Sequence, residues 1–408
     1  MTVAVELTDE EENAVAKRNV WLYLLCQALG GASAPVNIAL GGLVGAYLLD
    51  EDKSLATAPV TAYNIGVAMG AVIANAIMKR VGRRLGFMVG CFVGVAGMIF
   101  SGLSIAAENF WAFCAALGVN GISGGFVQQY RFAAADRGTP DFKPKAISMI
   151  MAGGIAAAII GPQLVIYAGN LAAPVPFAGA FYCAIILFVL SFFALFLLEP
   201  SNLSAKANAE QPVDIRSTRE ILSDPRLLIA ILCGTSSYAL MSFVMTGAPL
   251  AMVHHGHSVH DATLGIQWHV MAMFAPSLIT GHLIARFGKE RIVMAGLQIL
   301  VACGIIAMLG YDLMHFWGSL ILLGLGWNFG FIGATAMVTE CSRAREKNRV
   351  QGINDFFVFG FVALASLMAG HTLNAYGWVF LNIVIFPVVA VCFAGLIWLR
   401  VRGGKHAT

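Results

Sequence analysis

Long apolar runs recur along this chain from residue 20 almost to its end. About 20 mostly apolar residues are enough for an α-helix to cross the hydrocarbon core of a bilayer. Only 12% of the 408 residues are charged and 59% are hydrophobic, whereas a soluble domain carries about 25% charge. We therefore predict an all-α membrane protein with twelve transmembrane helices, at 20–48, 55–78, 85–106, 110–134, 146–168, 176–198, 226–252, 261–284, 291–310, 316–338, 350–370 and 377–399.

A longer polar stretch separates the sixth run from the seventh and divides the chain in two. Of the 25 lysines and arginines, all but Lys53 and Arg131 fall in segments that this arrangement places in the cytoplasm. Because basic residues concentrate on the cytoplasmic side of membrane proteins, we predict that both termini are cytoplasmic. The predicted order is a cytoplasmic N-terminal segment, a six-helix bundle, a cytoplasmic linker, a second six-helix bundle and a cytoplasmic tail, at 1–19, 20–198, 199–225, 226–400 and 401–408.

Two basic turns at matching places in the halves have similar sequences, NAIMKRVGRR (75–84) and GHLIARFGKE (281–290). Such matching turns are typical of parallel six-helix repeats. Both resemble the loop signature of the major facilitator superfamily, Gly-x-Leu-x-Asp-Arg-x-Gly-Arg-Arg, and GLGWNFGFIGAT (324–335) and VQGINDFFVFG (350–360) also look like this superfamily. The resemblance covers the whole chain and implies two pseudo-symmetric bundles that carry out secondary transport, but a fold does not identify a substrate.

The chain departs from the superfamily pattern at a few positions. Lys79 and Ala285 replace the signature's Asp, and Asn75 replaces its first Gly in the first half. Leu117 stands in place of an Arg of the fourth span that is often tied to proton coupling in drug antiporters. That replacement counts against the drug-antiporter class.

Soft metal-ligand residues recur at one-turn spacing in MSFVM (241–245) and HVMAM (269–273). Residues four apart share a helix face, and at 1.5 Å per residue Met241, Met245, His269 and Met273 lie about 10 to 18 Å inside the membrane. Antiparallel neighbours would pair Met245 with His269 and Met241 with Met273. Thioethers and imidazole without carboxylate suit Cu(I), whereas the alternative is core packing, because methionine fills irregular gaps. His269 is the only histidine well inside a span, and buried polar groups in membranes are usually functional.

The loop before the eighth span, MVHHGHSVHD, carries His254, His255, His257 and His260. These histidines either collect copper at the mouth, belong to a hydrated loop, or sense pH. Cys233 lies eight residues before Met241 and either relays copper or packs in the core.

The MxxxM and HxxxM pairs resemble the signature of the CcoA-like copper importers, a bacterial branch of the superfamily. The resemblance implies copper import across the cytoplasmic membrane, and the imported copper would supply the assembly of cbb3-type cytochrome oxidase. Copper is then the transported substrate, and the expected partners are the lipid bilayer and periplasmic and cytoplasmic copper chaperones. We expect a monomer that has no resident cofactor and does not bind nucleic acid.

Two other functions stay open. An organic-solute transporter, for a flavin or a drug, would use the methionines as pliable apolar lining. A copper sensor would bind the metal without moving it, but no soluble signalling domain is visible. An enzyme is not expected, because no nucleotide loop, paired catalytic carboxylates or activated nucleophile is visible.

Charged residues near the cytoplasmic ends of the spans form a second candidate set. Intramembrane charges generally pair or face water, and in this superfamily basic loop residues bridge to acids at helix ends to hold the cytoplasmic side closed. We predict gating for these residues, with Arg131 and Asp136 as a pair in the first half; the alternative is static anchoring of helix ends. The set is Arg80, Arg131, Asp136, Arg286, Glu340, Arg349 and Asp355.

Overall fold

The computed structural model describes residues 9–134, 136, 142–199, 217–343 and 346–404. Within these residues every regular element is an α-helix, as the sequence predicts. The helices are α1 (Asp9–Gly30), α2 (Ser33–Leu48), α3 (Ala58–Ala106), α4 (Phe110–Val127), α5 (Tyr130–Ala134), α6 (Lys143–Ala168), α7 (Ala178–Phe196), α8 (Thr218–Ile221), α9 (Pro225–His254), α10 (Val259–Phe274), α11 (Ser277–Phe287), α12 (Lys289–Leu309), α13 (Leu313–Cys341), α14 (Lys347–Ile383) and α15 (Ile385–Gly404).

Nine helices of the described part are long and apolar enough to cross a membrane, or ten if α10 and α11, which meet at 41°, form one bent span. The 49-residue α3 and the 37-residue α14 each contain one non-helical glycine, Gly82 and Gly377. The all-α membrane fold is thus confirmed, whereas the count of twelve spans and the side of the termini stay predictions.

A left-handed glycine occurs in both repeated basic turns. Gly82 has φ 82° inside α3, and Gly288 has φ 88° between α11 and α12. Side chains with a Cβ are disfavoured at such φ values. The glycines therefore let the chain change direction at both turns without a longer loop. This explains why both repeated turns contain Gly, after Arg-Val in the first and after Arg-Phe in the second.

The helices group into two compact units. One unit contains Met1–Asn37 and Gly66–Glu210, and the other contains Ile38–Ile65 and Gln211–Thr408. The second unit thus includes the segment that joins α2 to α3, together with the adjoining helix ends. The predicted bundle boundaries at 198 and 226 stay a prediction.

The first unit is centred on an aromatic core. The Phe87 ring lies 5.6 Å from that of Tyr23 and 4.6 Å from that of Tyr130. A buried polar contact lies in the same unit, where the Asn120 amide donates to Ser101 Oγ at 3.0 Å and to Asn37 Oδ1 at 3.3 Å. Such hydrogen bonds satisfy polar groups that water cannot reach.

In the second unit, the segment 38–65 packs directly on α14. The hydroxyl oxygens of Thr61 and Ser366 are 3.1 Å apart, and the Gly370 amide donates to Thr57 Oγ1 at 3.0 Å. A methyl group on Gly370 would lie 2.5 Å from Thr57 Oγ1, so this close approach requires glycine. These contacts are the reason that residues 38–65 group with the later helices.

Candidate functional site

Helices α9 and α10 of the second unit carry the four side chains predicted as copper ligands. The Asp224 carboxylate caps α9 by accepting a hydrogen bond from the Arg226 amide at 2.9 Å. A reciprocal capping box starts α10, where the Asp261 amide donates to Ser258 Oγ at 3.0 Å and the Ser258 amide donates to the Asp261 carboxylate at 3.3 Å. These local caps satisfy the first amides of each helix and so define where the two helices begin.

All four predicted ligands are buried, from 0% exposure for His269 to 9% for Met273. Met252 packs beside Gly265, where a methyl group would lie 3.4 Å from its sulfur. Since α9 and α10 contact each other and both rise by about 1.5 Å per residue, this contact places Met245 between His269 and Met273 in depth. It places Met241 near the break that follows α10. Met245, Met273 and Met241 therefore lie progressively farther than His269 from the loop between α9 and α10.

His269 is held by the backbone of α13. Its Nδ1 lies 2.8 Å from the Leu320 carbonyl oxygen, and because a carbonyl only accepts, Nδ1 must donate. A methyl group on Gly324 would lie 2.4 Å from the His269 carbonyl oxygen, so α13 can approach α10 this closely only at glycine. His269 Nε2 is buried and has no hydrogen-bond partner among the described residues.

The predicted copper-collecting histidines have different environments. The His255 ring stacks on Tyr311 at 4.1 Å, and its Nδ1 lies 2.8 Å from the Ala251 carbonyl oxygen. His257 Nε2 lies 2.7 Å from the Tyr311 carbonyl oxygen, whereas His254 and His260 are exposed. Two of the four histidines thus tie the loop to the turn before α13.

No three histidine, cysteine, aspartate or glutamate side chains converge as a metal site within the described part of the chain. The predicted accessory ligand Cys233 is fully buried on α9, which packs against α15, the helix that carries the fully buried Cys392. Neither cysteine forms a disulfide among the described residues.

An aromatic cluster in the second unit was not predicted as a site. The Tyr238 ring meets Trp327 edge-on at 5.2 Å and Phe331 at 5.0 Å, and it lies 6.4 Å from Phe359. Trp327 and Phe331 are nearly parallel, with ring centres 5.3 Å apart. We call these four residues the aromatic cluster. A sequence signal existed, because three of its members lie in GLGWNFGFIGAT and VQGINDFFVFG, the two stretches that resemble the superfamily.

Buried polar atoms also occur on α9 and α13, the helices that carry Tyr238 and Trp327. Trp327 Nε1 and the hydroxyls of Ser237 and Ser242 are buried and have no hydrogen-bond partner among the described residues. Tyr238, Phe331 and Phe359 are only half-buried. Buried polar groups are nearly always hydrogen-bonded in folded proteins, so the cluster combines aromatic surface with donors that a ligand can satisfy.

Asp136 of the predicted charge set forms an ion pair with a residue outside that set. Asp136 accepts hydrogen bonds from Arg83, at 2.9 Å from Nε and 3.4 Å from Nη2, and the Arg131 guanidinium lies over the Phe132 ring at 4.8 Å. The predicted Arg131–Asp136 pairing did not include Arg83. The physical reason is that Arg83 follows the left-handed Gly82, which turns the chain and brings the guanidinium to the end of α5.

A corresponding pair lies in the second unit. Glu340 at the end of α13 accepts from Arg226 and from Lys289, each at 3.0 Å. Lys289 occupies the repeat position of Arg83, directly after the second left-handed glycine. The basic residues of Arg83–Asp136 and Lys289–Glu340 therefore occupy matching positions in the two repeated turns, and neither was in the predicted set.

The remaining charged residues of the predicted set have separate surroundings. Arg80 is exposed, and Arg286 lies over the Phe287 ring at 5.3 Å. Arg349 donates to the Thr218 hydroxyl, and Asp355 accepts from the neighbouring Asn354 amide at 3.2 Å. Their role in gating stays a prediction.

Comparison with known proteins places the chain among transporters. The family model described as Major Facilitator Superfamily matches residues 20–357 and 237–408. Riboflavin transporter RfnT of Brucella anthropi is 48% identical over 387 residues, which cover 95% of this chain and 96% of the relative. The uncharacterized MFS-type transporter YdeG of Bacillus subtilis is 26% identical, over 96% of this chain and 94% of that protein. The crystal structure of nucleoside transporter NupG has the same fold, with a TM-score of 0.69 at 14% identity over 94% of this chain and 98% of that one.

The prediction of copper import is wrong. A relative with nearly half its residues identical over almost the full length is a riboflavin transporter, which favours the flavin alternative over a CcoA-like copper importer, and copper chaperones have no support as partners. The physical reason is that spacing of four residues places side chains on one helix face but does not reveal what they contact. Met241 and Met245 are buried as ordinary core residues are. One ring nitrogen of His269 already donates a hydrogen bond to the backbone carbonyl of Leu320.

Proposed function

Because this chain belongs to the major facilitator superfamily, we propose that it transports a flavin of the riboflavin class. The chain is a multi-pass transporter of the bacterial cytoplasmic membrane and not an enzyme. The single observation that carries the proposal is the 48% identity to a riboflavin transporter over 95% of the chain. The chemistry of the second unit agrees with a flavin substrate.

The aromatic cluster suits the flat ring system of a flavin. Aromatic rings favour offset-stacked and edge-to-face contacts, each contributing about 0.5–1.5 kcal/mol beyond the area they bury. Tyr238, Phe331 and Phe359 keep part of their surface exposed for such contacts. The Trp327 Nε1 donor suits a carbonyl oxygen of the ring, and the hydroxyls of Ser237 and Ser242 suit the ribityl chain.

The methionines take the role of apolar lining. Met241, Met245 and Met273 are unbranched and polarizable, so they adapt to the outline of a ring system and make favourable sulfur–aromatic contacts. Their burial agrees with lining that faces a substrate only in part of the transport cycle. We expect movement of the substrate to be driven by a gradient, because the sequence contains no nucleotide-binding loop.

Riboflavin uptake tests this function directly. A bacterial strain that can neither make nor import riboflavin is complemented with the wild-type chain, and labelled riboflavin uptake is measured at matched membrane abundance. We expect saturable uptake. Absence of uptake by the abundant wild-type protein would falsify the proposed function.

Substitutions of Trp327 test the site. Trp327→Phe keeps an aromatic ring but removes the Nε1 donor, and the loss of one hydrogen bond of about 0.5–1.5 kcal/mol raises KM about 2- to 10-fold. Trp327→Ala also loses the ring contacts and should raise KM further. Trp111→Phe is the matched control, because Trp111 is 68% exposed and lies in the other unit. Equal KM values for Trp327→Phe, Trp327→Ala and this control would exclude the aromatic cluster as the binding site.

A further inference from the structure

His269 is not part of the aromatic cluster, and one of its two ring nitrogens has no hydrogen-bond partner among the described residues. The ring is fully buried, and Nδ1 donates to the Leu320 carbonyl oxygen at 2.8 Å. That hydrogen bond places the proton of the neutral ring on Nδ1. Nε2 then carries a lone pair and accepts a hydrogen bond.

The orientation of this ring is set by two residues of α13 that lie one turn apart. Leu320 binds Nδ1, and Gly324 lets the α13 backbone contact the α10 backbone, since a methyl group there would lie 2.4 Å from the His269 carbonyl oxygen and 3.0 Å from the Met273 amide. Replacement of either contact would require one helix to move. The direction of Nε2 is therefore built into the packing of α10 on α13.

The surroundings of His269 do not supply a donor. Nε2 has no hydrogen-bond partner in the described part of the chain, and Met273, one turn away on the same helix, offers thioether sulfur, which cannot donate. Leaving a buried acceptor unpaired costs about 1–3 kcal/mol. Unpaired polar groups inside membrane spans are costly and usually belong to a functional site.

From these observations we infer that Nε2 of His269 accepts a hydrogen bond from the transported flavin, and so selects for a donor on the substrate. This inference rests on the proposed flavin function. Riboflavin offers two kinds of donor, the imide N–H of the ring system and the hydroxyls of the ribityl chain. The shared requirement is an N–H or O–H group that reaches His269 when the ligand is bound.

A chemical double-mutant cycle tests the contact. The wild type, His269→Phe and His269→Gln are purified in detergent, and their affinities for riboflavin, N3-methylriboflavin and lumiflavin are measured by quenching of flavin fluorescence. N3-methylriboflavin lacks the imide proton, and lumiflavin lacks the ribityl hydroxyls. His282→Gln is the matched control, because His282 is an exposed histidine on α11.

We expect His269→Phe to weaken riboflavin binding about 5- to 100-fold, as an unpaired buried donor does, and His269→Gln to retain part of the affinity through its amide oxygen. One analogue should bind the wild type more weakly than riboflavin does, and the difference should be much smaller for His269→Phe. If that analogue is N3-methylriboflavin the donor is the imide N–H, and if it is lumiflavin the donor is a ribityl hydroxyl. His282→Gln should bind like the wild type.

Two results separate failure of this inference from failure of the proposed function. If the wild type binds riboflavin but every analogue loses the same factor in wild type and His269→Phe, His269 is a packing residue and the inference is overturned. If the wild type neither binds nor transports riboflavin, the proposed function fails. Should His269→Phe not reach the membrane, the same comparison between wild type and His269→Leu decides the matter, because leucine also lacks an acceptor and equal analogue losses in these two proteins overturn the contact.

Discussion

Replacing Asn328 by leucine tests what holds the bend between α10 and α11. The Asn328 side chain is fully buried. Its Nδ2 donates to the Met273 carbonyl oxygen at 2.7 Å and to Ser277 Oγ at 2.6 Å, and its Oδ1 accepts from Thr280 Oγ1 at 2.6 Å. Pro276 lies at the break and has no N–H to donate. One amide therefore satisfies polar groups on both sides of the broken span.

The expected loss of stability follows from these three hydrogen bonds. Asn328→Leu leaves the Met273 carbonyl and the Ser277 hydroxyl without this partner, whereas Thr280 retains the Pro276 carbonyl oxygen at 2.7 Å. A buried group left unpaired costs about 1–3 kcal/mol, and single side-chain hydrogen bonds in membranes average about 0.6 kcal/mol. Because the Ser277 hydroxyl is only half-buried, it should cost less than the Met273 carbonyl, and we expect a total loss of about 2–4 kcal/mol. Thr280→Val removes the bonds from the Thr280 hydroxyl to Asn328 Oδ1 and to the Pro276 carbonyl oxygen. The Pro276 carbonyl still accepts from the Thr280 amide at 2.9 Å, so this change should cost only about 1 kcal/mol.

Thermal unfolding in detergent measures this difference, because the buried cysteines become reactive toward a thiol-specific fluorescent dye only when the helices separate. Cys233 and Cys303 are fully buried and form no disulfide among the described residues, so they report on the second unit. Asn328→Leu should unfold at a lower temperature than Thr280→Val, and both below the wild type. If Asn328→Leu were as stable as the wild type, the amide would not hold the bend and the reasoning would be refuted.

Three further changes test other contacts. Exchanging the charges with Arg83→Asp and Asp136→Arg should restore riboflavin uptake that either substitution alone reduces, with a coupling energy of about 1 kcal/mol for this partly exposed pair. Gly324→Ala forces a methyl group to within 2.4 Å of the His269 carbonyl oxygen, and such overpacking should cost about 1–3 kcal/mol in thermal stability. Cysteines at Thr61 and Ser366, whose hydroxyl oxygens are 3.1 Å apart, should crosslink on oxidation and stop uptake until a reductant is added.

Each of these changes has a control and an opposing outcome. Gly281→Ala adds the same methyl group where no atom lies within 4 Å, so it should leave stability unchanged or slightly raised; equal losses for the two alanines would contradict the packing argument. Uptake by the exchanged pair no better than by the single variants would mean that Arg83 and Asp136 act independently. Full uptake by the crosslinked protein would show that residues 38–65 need not leave α14 during transport.

The membrane fold could be predicted from local sequence because the bilayer leaves few choices. Backbone groups inside lipid must be paired within the segment, so long apolar runs form helices. The repeated basic turns likewise predicted two related halves, and Gly82 and Gly288 turn the chain at the same place in both. Residues that act through their nearest neighbours in the chain can thus be recognised from sequence alone.

The site could not be predicted in the same way. Tyr238 contacts Trp327 and Phe359 although the three residues lie on three different helices. Asp136 binds Arg83, which lies 53 residues away in the sequence. The copper hypothesis treated the face shared by Met241 and Met245 as evidence of a ligand. That face says which side chains point together, but not which helix lies opposite.

The sequence by itself determined the all-helical membrane architecture, the two related halves and the superfamily, because these depend on hydrophobicity and on short-range backbone preferences. Only the tertiary structure decided that His269 Nδ1 donates to the Leu320 carbonyl oxygen and that Nε2 has no partner among the described residues. It also decided that an aromatic ring from α9 contacts rings from α13 and α14. The physical reason is that a side chain's partner depends on the packing of helices far apart in the chain, which sequence periodicity does not encode.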